Sequence, residues 1–148
     1  MSSLIKLPRK KRPKQLIVPL RSGKEVKGRR DFFTYRDLGL KEATDGRFGA
    51  TAMTMRSAMA QATGWHYHTC EAQITLCLSG WADLVFEDGT EIRIKAGDFQ
   101  YIPGGVLHNE IATSEDLESI EISIPSDLGT VAVDPPAWWV DREASRDA

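Results

Sequence analysis

The chain has 148 residues, 41% of them hydrophobic and 27% charged, with a net charge of −2. That is one domain's length, enough to bury roughly two-thirds of the unfolded surface around a single core. No apolar run reaches the roughly twenty residues that span a bilayer, and the N-terminus lacks the apolar core of a secretory signal. Two cysteines, Cys70 and Cys77, make no disulfide framework, so the expected location is cytoplasmic.

The charge is uneven along the chain. Residues 1–30 hold eleven Lys/Arg against Glu25 alone, a net +10, which leaves −12 on the remainder. The run "KLPRKKRPK" has the composition of a nucleic-acid patch. Its two prolines and lack of apolar period also fit a solvated terminus, and the acidic body offers no basic surface to cooperate with it. A nucleic-acid partner is therefore not expected, nor is a membrane. The basic arm and a first strand account for residues 1–30, a β-domain for 31–125, and a polar tail for 126–148.

In chain order, "QLIVPL" is a short apolar run and "RSGKEVKGRR" a charged, turn-like one. "DFFTYRDLG" reads as a strand. "FGATAMTMRSAMA" reads as a strand or a short helix. There follow "WHYH", "AQITLCLSG", "WADLVFEDGTEIRIKAGD", "QYIPGGVLHNEIA" and "LESIEISIP". Asp88-Gly89 between alternating segments predicts a two-residue type I′ hairpin. Ile120, Ile122 and Ile124 alternate with polar residues, as a half-buried strand requires. Short strands punctuated by Gly and Pro predict an all-β sandwich or barrel. "DPPAWW" breaks the pattern, and its tryptophans are expected at a sheet edge or a subunit contact.

The chain contains three histidines: His66, His68 and His108. The first two are next-but-one neighbours, a spacing that puts both on one face of a strand. In the following strand Gln73, Thr75 and Cys77 share a face, and Ile74, Leu76 and Leu78 share the other. Pairing the two strands brings Gln73 beside the imidazoles, and a later strand can deliver His108. Three imidazoles and an amide oxygen make a coordination shell for a divalent transition metal.

These residues resemble the two motifs of the cupin superfamily over about residues 50–125. The first runs His66, His68, four residues, Gln73, six residues, Gly80; the second runs Gly97, five residues, Pro103, Gly104, Gly105, two residues, His108. The resemblance implies a double-stranded β-helix, the jelly-roll barrel, with one metal inside and commonly a homodimer. Two departures stand out. Gln73 occupies the position of the usual ligand glutamate, and Asn109 directly follows His108 in place of a more distant closing asparagine. Glu71 is the competing candidate for the fourth ligand, although it falls in the turn. Neutral ligands leave the metal's full charge in place, which strengthens its pull on water or an anion.

Parity from His108 turns Glu110 inward, where a carboxylate serves as a general base or sits wet at the rim. Tyr101, which shares a strand face with Phe99, is a candidate for the pocket wall. Arg56 is either a carboxylate clamp or a surface residue, Cys77 either a cavity residue or a small core one, and Asp98 a turn stabiliser. The expected function is a metal-dependent enzyme for a small molecule. By resemblance to three-histidine members of the family, an iron-dependent dioxygenase leads, with nickel, manganese or zinc as other metals. A redox-neutral lyase or isomerase and a non-catalytic sensor are the alternatives.

Overall fold

The computed structural model describes residues 15–148; the basic run "KLPRKKRPK" lies outside the described residues. The strands are β1 (Lys24–Val26), β2 (Phe33–Asp37), β3 (Gly49–Met55), β4 (His66–His68), β5 (Ala72–Ser79), β6 (Trp81–Phe86), β7 (Glu91–Lys95), β8 (Phe99–Pro103), β9 (His108–Thr113), β10 (Glu118–Ile124) and β11 (Thr130–Ala132). One helical turn, α1 (Leu40–Ala43), precedes β3, and α2 (Ala137–Arg146) closes the chain. The ambiguous "FGATAMTM" stretch is thus a strand. No helix among the described residues is long and apolar enough to cross a membrane.

The strands form two antiparallel sheets. The first has the order β1-β2-β3-β10-β5-β8 and the second β11-β4-β9-β6-β7. Neighbours that are distant in sequence, such as β3 with β10 and β4 with β9, wind the chain between the sheets as a jelly roll. Between the sheets pack Phe33, Tyr35, Met53, Cys77, Leu84 and Ile102, all buried. Each is fixed by strand parity. Phe33 and Tyr35 pair with Met55 and Met53 across β2 and β3, so all four point the same way.

Parity has an unexpected result on β10. Ser119, Glu121 and Ser123 are the buried residues, while Ile120, Ile122 and Ile124 face outward and are only partly covered. Their cross-strand partners Leu76 and Ile74 on β5 lie on the same outer face, and these pair with Phe99 and Tyr101 on β8. Leu76, Phe99 and Tyr101 are 37%, 68% and 56% exposed. The half-buried strand is there, but its polar side faces in.

The hairpin joining β6 and β7 also differs from expectation. Gly89 has φ +86°, but Asp88 does not adopt positive φ. The Gly89 N–H donates to the Phe86 carbonyl and the Phe86 N–H to the Thr90 carbonyl. This is a type I turn closed by a left-handed glycine, the three-residue relative of the expected type I′ turn. The Asp88 carboxylate accepts from the Thr90 N–H at 2.9 Å, which stabilises the wider loop.

The tryptophans of "DPPAWW" pack on their own barrel. Trp138 and Trp139 meet Trp65 edge-on at 5.9 and 5.5 Å between centroids, and the Trp138 indole donates to the Glu87 carbonyl. This cluster seals the side of the second sheet next to β4, away from the isoleucine face of the first sheet.

The Pro103-Gly104-Gly105 turn couples the sheets near the histidines. The Gly104 N–H donates to the Glu71 carbonyl at 3.0 Å and the Gly105 N–H to the His68 carbonyl at 2.9 Å. A Cβ on Gly104 would fall 1.7 Å from the Cys70 carbonyl oxygen, a backbone atom with nowhere to go. Gly104→Ala is therefore expected to lower unfolding stability by about 1–3 kcal/mol, measured by denaturant titration. Gly97→Ala, where the new methyl group meets nothing within 4 Å, serves as the comparison and carries only the cost of its positive φ.

Candidate metal centre

His66 and His108 are directly opposed across the β4–β9 pair, and His68 follows two residues along the same face. The three rings converge, with centroids 4.4 Å apart for His66–His108 and 5.1 Å for each of the other pairs. One ring nitrogen from each lies within 4.8 Å of the others, and all three side chains are buried.

Hydrogen bonds decide which nitrogen is free. Nδ1 of His66 lies 2.8 Å from the Gly64 carbonyl, and Nδ1 of His108 lies 2.9 Å from the Val106 carbonyl. A carbonyl only accepts, so each Nδ1 carries the proton and each Nε2 keeps its lone pair. Nδ1 of His68 is held at 3.1 Å by the Thr130 hydroxyl from β11. Burial drives the rings toward the neutral form, holding His66 at about 4 and His68 at about 3, with their mutual repulsion adding to the effect on His68. Burial likewise lowers His108. Three imidazoles kept neutral, with Nε2 the lone-pair nitrogen in His66 and His108, are suited to a metal.

Among the described residues, the buried polar atoms without a protein partner are Nε2 of His108, Oε1 of Gln73, the Tyr35 hydroxyl, the Trp65 indole nitrogen and the Gln100 amide nitrogen. Gln73 does not reach the histidines by strand pairing as expected, because β4 and β5 lie in different sheets. It sits on the inner face of β5, is 4% exposed, and faces the interior from the first sheet. Its amide nitrogen donates to Glu121 Oε2 at 2.7 Å, which leaves its oxygen free. Unpaired buried polar atoms are costly, and a cation is a partner suited to lone-pair atoms such as His108 Nε2 and Gln73 Oε1. The donor set fits a divalent transition metal: three imidazole nitrogens are able to hold it, with the Gln73 oxygen available as a fourth ligand.

Behind this set stands a charged network. Arg29, in the segment after β1, grips Glu121 bidentately at 3.0–3.2 Å and lies over the Tyr35 ring at 5.6 Å. Glu110 is half-buried on the inner side of β9, where its register partner is the core residue Leu84. Burial raises its proton affinity, against the pull of Arg29. A cleft of about 410 Å³ lined by Val26, Lys27, Gly28, Arg29, Tyr35 and Thr51 opens beside the Arg29 side chain.

Several expected roles are relocated. Tyr101 does not form the pocket wall. On β8 the inward positions are Gln100 and Ile102, so Tyr101 points outward with Phe99. Glu71 is exposed in the turn before β5, its backbone engaged with Ile124 and Gly104. Arg56 is a surface residue bound to Glu25 at 2.7 Å. Cys77 is 1% exposed within the apolar core. The Asp98 carboxylate accepts from the Lys95 N–H in the turn before β8. Sequence reasoning missed Arg29, Tyr35 and Glu121. For Glu121 the alternation on β10 was a signal, but periodicity does not say which face is inside.

Residues 54–123 match the family model described as "Cupin domain". A comparison with curated proteins by sequence finds no match. Among solved structures, the polyketide cyclase RemF from Streptomyces resistomycificus is similar with a TM-score of 0.66 and 19% identity, over 84% of this chain and 89% of that one. A cupin-like protein from Thermotoga maritima gives a TM-score of 0.57 and 24% identity, over 82% and 92%. Oxalate decarboxylase from Bacillus subtilis gives 0.58 and 15%, over 88% of this chain and 36% of that one. Taken with the two-sheet barrel and the three inward histidines, the family match identifies residues 54–123 as a cupin domain of the jelly-roll type.

Proposed function

We propose that this protein is a metal-dependent enzyme that moves a proton on a small, oxygen-rich organic substrate. The observation that carries the reading is the convergence of three neutral imidazoles; the buried, unpartnered oxygen of Gln73 supports it. His66, His68, His108 and Gln73 would hold the ion; when bound, it supplies a full dication that polarises a carbonyl or carboxylate. In this reading Glu110, two residues along β9 from His108, takes up or returns the proton; burial raises its proton affinity, which favours that role.

A second reading, oxygen-dependent dioxygenation with iron, draws on the all-neutral donor set, which leaves open positions for two oxygen ligands. Oxygen uptake separates the two. We also propose a two-fold dimer through the outer face of Ile74, Leu76, Phe99, Tyr101, Ile120 and Ile122, because an exposed apolar sheet face of this kind favours association with a copy of itself.

Three outcomes follow. His68→Ala and His108→Ala should each lose most bound metal while keeping the β-sheet circular dichroism of the parent. Near-stoichiometric metal in either would refute the centre. Metal-loaded protein given small keto acids and 1,3-diketones in D2O should wash deuterium into the carbon next to the carbonyl without consuming O2. Glu110→Gln should slow that exchange by roughly 10²–10⁴-fold with metal content unchanged, whereas exchange at the parent rate would remove Glu110 from the chemistry. Finally, sedimentation should give a dimer that Leu76→Glu/Phe99→Glu converts to monomer; a monomeric parent at all concentrations would remove the interface.

A further inference from the structure

A carboxylate, Glu121 of β10, stands one side chain behind Gln73. β10 pairs with β5 so that Gln73 stands opposite Ser123 and Thr75 opposite Glu121. Glu121 and Gln73 are thus diagonal neighbours on one inner face, within reach for long side chains. Their contact is a 2.7 Å hydrogen bond between buried groups.

The direction of that bond matters. An ionised carboxylate only accepts, so it fixes the nitrogen of the Gln73 amide toward Glu121 and the oxygen away from it. That oxygen is the one left without a partner. Glu121 is held in place by Arg29, whose two terminal nitrogens reach both carboxylate oxygens, and it is 7% exposed. A paired guanidinium and carboxylate cancel in net charge, so the site keeps an uncompensated dication while the amide is locked.

We infer that Glu121, anchored by Arg29, is a positioning residue that sets the orientation of Gln73 and so presents its oxygen to the metal. This rests on the metal-centre reading above. The competing account is a buried ion pair that merely ties the Arg29 segment to the barrel. The two accounts differ in what the metal senses: a structural pair changes stability alone, while a positioning pair changes the coordination of the ion and acts only through Gln73.

The test is a chelator-buffered Co²⁺ titration of metal-free protein, with the visible spectrum of the bound ion recorded at each point. Glu121→Ala should weaken Co²⁺ binding by about 10–100-fold, as loss of a partner that orients a ligand does elsewhere, and should alter the spectrum. Glu121→Gln retains an oxygen that can accept from the Gln73 amide, and should recover most of the affinity. In a Gln73→Ala background, Glu121→Ala should cause no further loss. Should Glu121→Ala fail to fold because Arg29 is left unpaired, Arg29→Met/Glu121→Leu removes both charges and must show the same loss and the same dependence on Gln73. Unchanged affinity and spectrum in the Glu121 variant, or losses that multiply in the double variant, would overturn the inference. A parent protein that takes up no Co²⁺ would overturn the metal-centre reading itself, and this inference with it.

Discussion

Everything at the centre of this barrel depends on one rung of sheet, the pairing of His66 with His108 across β4 and β9. β4 is only three residues long, too short to hold a position by its own ladder. It is fixed on one side by β9 and on the other by β11, whose Thr130 hydroxyl reaches the His68 ring. The Gly104-Gly105 turn adds bonds to the carbonyls of Glu71 and His68. The imidazoles are therefore held from several directions before any ion binds. Preorganisation of this kind lowers the cost of ordering ligands around a metal.

The interior is divided between two kinds of packing. One part is apolar, built from Phe33, Met53, Leu84 and Ile102. The other is polar and charged, with Glu121, Ser119 and Ser123 turned inward from β10. Buried polar groups cost free energy unless paired. Here Arg29 and Gln73 satisfy Glu121, while Nε2 of His108 and Oε1 of Gln73 are among the buried atoms left without a protein partner. The polarity of β10 is the reverse of a conventional half-buried strand. A polar inner surface forces the apolar residues outward, and this same parity produces both the site and the exposed isoleucine face.

The electrostatic arrangement has a consistent logic. Three neutral rings would leave the charge of a bound dication undiminished. The nearest carboxylate is kept at one remove and matched by a guanidinium. Glu110, the remaining inward acid, is in the field of both Arg29 and Glu121, so its proton affinity is tied to the same network that orients Gln73.

Much of this was legible in the residues alone. The interval between His66 and His68, the position of Gln73, and the spacing of Gly97, Pro103, Gly104 and His108 pointed to the barrel and to the metal, because period-two geometry turns such intervals into shared faces. Parity also set Glu110 on the side of β9 that carries His108. Strand parity alone, however, is blind to which of two faces is inside, since a shift by one residue exchanges them. That ambiguity sent Tyr101 to the pocket wall when its strand presents Gln100 and Ile102 inward, and it hid Glu121 behind three isoleucines. Arg29 was invisible for another reason: it belongs to an irregular segment whose path is set by Gly28 lying against the Tyr35 ring. The pattern of local intervals determined the fold and the imidazoles. Only the long-range pairing of β10 with β5, and the passage of the Arg29 segment over the barrel, decided what stands behind them.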